Sequence, residues 1–314
     1  MAHLNLKIEY TGGKSIKRNA LILTLLCGLF LIGGGCTAKK KYVIDKNAAA
    51  MNVKYAGVRS SAYGIEPFPE PAAWQSAMTD MQARFVSSVP CGIWIVGVMG
   101  GKYTCRLEFP ADGRQDSNIV YLDYDKHERY LDYFDAEGIK VFLQVEPAHA
   151  DVTNLIDIVL NRYKHHTCVI GFGVDVEWHR EADNPDWGVK ISDTLARDWE
   201  TQVKAHNPDY QLFLKHWDRD WMPPSYRGDL IFVDDSQMLE NFYAMLEEFV
   251  DYWSGYFEPN MVFFQIGYRS DKPWWQKLDD PPRDIGVAIA QNISQNCGVF
   301  WVDFTLQEVL PLNE

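Results

Sequence analysis

Eight short apolar runs, rich in Val, Ile and Phe, recur along the chain between amphipathic stretches, and this alternation most constrains the fold. The runs cover 54–59, 92–98, 140–147, 169–178, 211–217, 230–235, 261–268 and 298–304. Helical patterns fit between them at roughly 70–86, 122–137, 152–164, 190–206, 238–254 and 280–293. Only a short turn or helix fits between the fifth and sixth runs, because Pro223 and Pro224 interrupt that stretch. Apolar runs of this length alternating with helices read as repeated βα units and a parallel sheet. Eight units in some 265 residues predict a single (β/α)8 barrel occupying residues 51–314. An open doubly wound sheet is the runner-up, but no glycine-rich phosphate loop follows the first run.

The segment before residue 51 reads as an address. Lys14, Lys17 and Arg18 precede an apolar run from Ala20 to Ile32, of the length of a signal h-region rather than of a bilayer span. It leads into Gly33-Gly34-Gly35-Cys36, which resembles a bacterial lipoprotein cleavage site. The resemblance implies export, a lipid on Cys36 and a membrane tether through residues 37–50 at the cell envelope. An ordinary signal peptide and an uncleaved anchor are the alternatives. Lys39, Lys40 and Lys41 suit anionic headgroups.

Removing residues 1–41 leaves 23 basic and 42 acidic side chains, a net charge of −19. So acidic a body is a poor nucleic-acid binder, since phosphate contacts need the opposite sign. Of the remaining cysteines, Cys91 and Cys105 flank a hairpin-like excursion, whereas Cys168 and Cys297 each open a strand. Export permits disulfides, and buried thiols are the alternative. Neither the cysteines nor the pair His165–His166 has partners at metal-ligand spacing, so no metal or other cofactor is expected; the two histidines fit a surface turn. No protein partner is expected either.

The fourth run, Val-Ile-Gly-Phe-Gly-Val-Asp-Val-Glu-Trp-His at 169–179, ends in acids. Side chains alternate across a strand, so Gly173, Asp175, Glu177 and His179 share one face, the two carboxylates roughly 6.5 Å apart along it. Two acids on one face of a buried strand line a polar cavity. Neighbouring acids in a low-dielectric site split their pKa values, and one can hold a proton near neutral pH as a general acid. The bland alternative is an acid pair neutralised by Lys215 or Arg59. Other runs also end in polar or aromatic residues: Gln144 and Glu146, Lys215 and Trp217, Asp234 and Asp235, Gln265 and Tyr268, Trp301 and Asp303. Barrel active sites lie at the C-terminal ends of the strands. Gln144, Glu146, Lys215, Trp217, Asp235, Gln265, Tyr268 and Trp301 are therefore the candidate substrate contacts. For Glu146 a structural pairing with Lys215 is the alternative. Asp234 and Asp235 are adjacent, so one faces inward and the other caps the next helix. Eleven tryptophans are enough to line a carbohydrate cleft as well as a core.

The stretch Ile170-Gly171-Phe172-Gly173-Val174-Asp175-Val176-Glu177 resembles the DGxDxDxE pattern on the fourth strand of family 18 glycoside hydrolases, the chitinases and endo-β-N-acetylglucosaminidases. The last two acids and the early glycine match; Ile170 and Gly173 replace the first two acids. Gly298 to Asp303 is similar to that family's eighth strand, in which a tryptophan, here Trp301, floors the sugar site. The resemblance implies substrate-assisted retaining hydrolysis, an exception to the two-carboxylate scheme. Glu177 would protonate the leaving oxygen and Asp175 would orient the substrate's 2-acetamido group. Tyr268 would hold the acetamido oxygen, with Gln265 one inward step earlier. In that family the acid at the Gly173 position relays charge to the middle aspartate. Family 25 barrel lysozymes also place Asp-x-Glu at a strand end, so a muramidase is an alternative, as is a glycan-binding lipoprotein without turnover. No serine-hydrolase elbow, Walker loop or H-E-x-x-H is present.

Overall fold

A computed structural model describes residues 42–310 and 312; the segment 1–36, the lipidation residue Cys36 and the first part of the expected tether lie outside the described residues. Within them the strands are β1 (Val53–Ser60), β2 (Val89–Gly101), β3 (Thr104–Leu107), β4 (Ile119–Tyr121), β5 (Lys140–Val145), β6 (Val169–Asp175), β7 (Gln211–Lys215), β8 (Ile231–Asp234), β9 (Val262–Ile266) and β10 (Cys297–Val302). Eight of them pair in parallel in the order β1-β2-β5-β6-β7-β8-β9-β10, and β10 pairs back onto β1, which closes the barrel. The eight expected runs are these eight strands. Both β3 and β4 are additions: β3 runs antiparallel to the end of β2, with Met99 opposite Cys105, and β4 pairs alongside it.

The helices include α1 (Pro71–Gln82), α2 (Glu128–Glu137), α3 (Val152–Tyr163) and α4 (Asp193–His206). Local chemistry sets their ends. Asp151 accepts hydrogen bonds from Thr153 N and Asn154 N, and Ser192 Oγ accepts one from Leu195 N. Gly138 closes α2 at φ +70°, where a side chain would be strained. The expected helix over 122–137 starts only at Glu128, because β4 and its following turn use the earlier residues. Asn241 caps α5 (Phe242–Leu246), which runs on as π-helical turns over Glu247–Ser254. Between β9 and β10 lies α6 (Pro281–Ala290).

Strand alternation divides the core in two. Outward side chains such as Val58, Trp94, Leu143, Phe172, Leu214 and Val299 pack beneath the helices. Inward, Cys91, Ile93, Phe142, Phe213, Ile231, Val233, Phe263 and Phe300 fill the barrel as an apolar plug. Above the plug, the next inward position on most strands is polar, and this change of layer makes the site.

Two expectations need correction, and the choice between disulfides and buried thiols is settled for the thiols. Strand β6 stops at Asp175, and Val176–Trp178 form a 3₁₀ turn, so Glu177 is not a strand residue. Residues 42–50 do not hang free as a tether. Val43 N and Asp45 N donate to Asn292 Oδ1 and Gln291 Oε1, and the compact unit begins at Tyr42. Finally, Cys91 sits in the barrel plug and Cys105 in the outer layer; both thiols, like those of Cys168 and Cys297, are buried and free.

Candidate active site at the C-terminal mouth of the barrel

The polar layer is built by strand ends. Arg59 on β1, Gln144 and Glu146 on and just past β5, Asp175 on β6, Lys215 on β7, Asp235 just past β8 and Gln265 on β9 all continue the inward alternation begun by the plug, and all are buried. Lys215 is the hub. Its Nζ lies 3.0 Å from Asp175 Oδ2 and 3.8 Å from Glu177 Oε2, and it donates a short hydrogen bond to Asp235 Oδ2. Gln144 Nε2 donates to Asp175 Oδ2 at 3.3 Å. Tyr268 Oη donates to Gln265 Oε1 at 3.2 Å. Glu146 accepts from Tyr63 Oη at 2.5 Å and from Met99 N at 2.9 Å. A second buried cation, Arg59, pairs with Asp303 Oδ1 at 3.0 Å and donates to Tyr63 Oη at 2.9 Å.

Five buried polar atoms in this layer have no hydrogen-bond partner among the described residues: Arg59 Nε, Asp175 Oδ1, Asp235 Oδ1, Gln144 Oε1 and Gln265 Nε2. Buried polar groups are nearly always satisfied, so five orphans in one layer call for a ligand. Glu177 alone of the Lys215-bound carboxylates keeps appreciable exposure, 19 % for its side chain against 1 % for Asp175 and 7 % for Asp235. Anything entering from solvent meets Glu177 first.

Electrostatics separates the roles. Burial lifts the Asp175 carboxyl; Lys215 pulls it back, Asp235 and Glu146 push it on, and it is raised to about 7. Glu177 is also raised well above the carboxylate range, first by burial and then by Asp235, Asp175 and Glu146, with Lys215 opposing. Burial alone would discharge Lys215, but Asp175, Asp235 and Glu177 outweigh it and hold the ammonium well above its ordinary value. The two acids share an excess of negative charge that one proton relieves. Asp175 touches the ammonium and accepts from Gln144, whereas Glu177 stands farther off. The shared proton therefore resides on Glu177.

The structure brings together Glu177, Asp175, Glu146, Gln144, Lys215, Asp235, Gln265 and Tyr268. It moves others. Trp301 faces outward: it packs against Trp275 with ring centroids 5.3 Å apart and donates to Thr305 Oγ1 at 2.9 Å, because β10 alternation turns Phe300 inward. It cannot floor the site. His179 leaves the acid face after the 3₁₀ turn and packs on Trp199, with Nδ1 3.2 Å from Val189 O. Asp234 turns outward as expected but caps no helix; it accepts from Ser236 N, and Asn241 caps α5. Trp217 is half-buried in an aromatic group with Trp187 (4.2 Å between centroids), Trp221 and His216. His216 accepts from Asp218 N on Nδ1, which leaves Nε2 as the donor to Trp187 O, and burial pushes its pKa down to about 4. Arg59, Tyr63 and Asp303 were not among the candidate contacts; the inward series Tyr55, Gly57, Arg59 on β1 was the available signal for the first of them.

No family model matches this chain, and no curated protein sequence does. Among solved structures it is similar to a β-glucuronidase from an uncultured Clostridium sp., with TM-score 0.42 and 10% identity over 79% of this chain and 43% of that one. It is also similar to an arabinofuranosidase, with TM-score 0.41 and 10% identity over 82% of this chain and 66% of that one. The chain thus spans less than two thirds of the length of either. The barrel rests on its own closed strand pairing, and the chemistry rests on the residues at its mouth.

Proposed function

We propose that this chain is a retaining glycoside hydrolase acting on a glycan that contains N-acetylhexosamine, with Glu177 as acid/base and Asp175 as its partner. The observation that carries the reading is the set of orphaned buried atoms beside a protonated, solvent-reachable Glu177. Glu177 gives its proton to the glycosidic oxygen as the bond to the anomeric carbon breaks. The carbonyl oxygen of the substrate's 2-acetamido group bonds to that carbon. Asp175 Oδ1, which has no protein partner, accepts the acetamido N–H, and Lys215 and Gln144 hold Asp175 in place through its other oxygen. Water then attacks the anomeric carbon, giving its proton to the Glu177 carboxylate and regenerating the acetamido group. Gln265 Nε2 is the donor for the acetamido oxygen, and the Tyr268 hydroxyl orients that amide by donating to its Oε1. Trp217, half-buried two residues past Lys215, is the candidate ring for the C–H edge of a second sugar. The same reading tethers the enzyme to a bacterial envelope membrane through a lipid on Cys36; palmitate labelling lost in Cys36→Ala tests that part.

A non-catalytic glycan-binding protein is the second reading, and it has one observation of its own: the ion pair with Lys215 closes Asp175 down to 1 % exposure. One experiment separates the two. The chain from Tyr42 onward and its Glu177→Gln variant are incubated with chitin oligomers, high-mannose N-glycans and peptidoglycan. Product from the wild type alone establishes a glycosidase, and product from peptidoglycan alone makes it a muramidase. A glycan that raises the melting temperature without product in either makes it a binding protein.

A further inference from the structure

The opposite end of β6 carries a second cluster. Lys164 to Cys168 connect α3 to β6, so His165 and His166 lie a whole strand away from Asp175, on the order of 20 Å at 3.3 Å per residue. Asp135, near the end of α2, accepts from Thr167 Oγ1 at 2.9 Å and from Cys168 N at 2.6 Å on one oxygen. Its other oxygen lies 2.8 Å from His166 Nδ1. A carboxylate only accepts, so Nδ1 carries the hydrogen and a neutral His166 presents a lone pair on Nε2. That nitrogen is buried without a hydrogen bond, in a residue only 2 % exposed. It faces Glu128 Oε1 at 3.5 Å, and the same oxygen lies 3.1 Å from His165 Nε2.

Two imidazole nitrogens converge on one carboxylate oxygen, and all three atoms lie within 4.8 Å of one another. A tetrahedral ion with ligands at about 2.0–2.1 Å sets neighbouring ligand atoms about 3.3–3.4 Å apart. The two separations, 3.1 and 3.5 Å, bracket that value. We propose that Glu128, His165 and His166 form a binding site for a zinc-type divalent transition metal, with Asp135 as the positioning carboxylate that fixes the His166 tautomer. A carboxylate behind a ligating histidine is the usual outer support of such sites. Cys168 is not among the proposed ligands: its thiol donates to Leu131 O at 3.6 Å. His165 and Glu128 are partly exposed, which leaves a fourth position for water. The ion would pin the first turn of α2 to the α3–β6 connection. It is structural and independent of the chemistry proposed at the other mouth. Spacing along the chain conceals the set, because Glu128 lies 37 residues before His165.

The test uses the untagged chain from Tyr42 onward, stripped with a chelator and titrated with zinc chloride at pH 7.5, with magnesium chloride as control. Calorimetry is expected to give a dissociation constant on the order of micromolar or tighter. At a hundredfold excess over that constant the melting temperature should rise by about 5 °C or more. Cobalt(II) should show the visible bands of a tetrahedral centre. His165→Ala, at an exposed position, should leave the metal-free melting temperature unchanged and weaken binding at least tenfold; Asp135→Asn should weaken it about 10–100-fold. No zinc-dependent heat or melting shift in the wild type would overturn the proposal. So would equal affinity in a Glu128→Gln/His165→Ala double variant. A melting temperature that answers to pH but not to zinc would instead assign the cluster as an imidazolium held between two carboxylates.

Discussion

Replacing Asp175 by Asn should stabilise the fold while abolishing turnover, and the size of the gain can be worked out. Asp175 is 1 % exposed and its carboxyl is raised from 3.8 to about 7. A folded-state pKa above the unfolded one means that the native state binds the proton more tightly. Wild-type stability therefore falls as pH rises from about 4 to about 7, and levels above that. At 1.36 kcal/mol per unit, some three units amount to about 4 kcal/mol at pH 8. Asn imitates the protonated acid and avoids that cost. Glu177 ionises more readily once Asp175 is neutral, which adds to the gain, whereas relaxation and water entry around the wild-type carboxylate reduce it, so about 2 kcal/mol net is expected. Loss of a buried ion-pair partner ordinarily costs about 3–5 kcal/mol. That penalty requires an orphaned charge, and Lys215 is not orphaned, since it keeps Asp235 and Glu177. Urea denaturation at pH 4, 6 and 8 measures both curves. The variant should match the wild type at pH 4 and exceed it by about 2 kcal/mol at pH 8, or about 4–8 °C in melting temperature. A variant less stable than wild type at pH 8, or a gap that does not change with pH, would refute the reasoning and make Asp175 a structural ion-pair member.

Lys215→Met should act in the opposite direction. It leaves Asp175, Glu177 and Asp235 without their cation, so denaturation at pH 8 should show a loss of about 3–5 kcal/mol, shrinking toward pH 5 as the carboxyls take up protons. Gly173→Ala should destabilise by about 3 kcal/mol, because its Cβ would stand 1.9 Å from Phe213 Cζ inside the plug. Adding Phe213→Leu should recover part of that loss, read from a double-mutant cycle.

The strands were legible because both of their faces are apolar: the outer layer and the plug each demand Val, Ile, Leu or Phe, which leaves continuous runs. The ends were less so. Reading the runs through 178, 217 and 304 extended strands over residues that turn away after Asp175, Lys215 and Val302, since apolar composition does not mark where a ladder loses its partner. That extension placed Glu177 in the right layer by the wrong route, a 3₁₀ turn, and it misplaced His179. Trp301 was misread for a different reason. Alternation on β10 puts either Phe300 or Trp301 inside, both are large and aromatic, and only the plug decides: Phe300 meets Phe263 at 5.0 Å between centroids. The β3–β4 excursion and the Glu128–His165–His166 cluster depend on contacts between distant segments, to which periodicity is blind.

Gly173 shows how the site departs from the pattern that it resembles. An acid at that position would lie beneath Asp175 and tune it. Here the ring of Phe213 fills the space and Phe142 crowds Gly171 in the same way, so the layer under Asp175 is apolar. A carboxylate above such a layer, with no counter-charge, would simply take up a proton and lose its use as an acceptor. Lys215, two residues beyond Phe213 on β7, supplies the missing compensation from the side: its ammonium touches Asp175 and Asp235 together. The exchange has a consequence for chemistry. A buried acid can pass its proton to Asp175 during turnover, whereas an ammonium held well above its ordinary pKa cannot. In the proposed mechanism Asp175 would thereby be confined to positioning and charge, and the proton traffic would fall to Glu177, the carboxyl of the Lys215 cluster that reaches solvent.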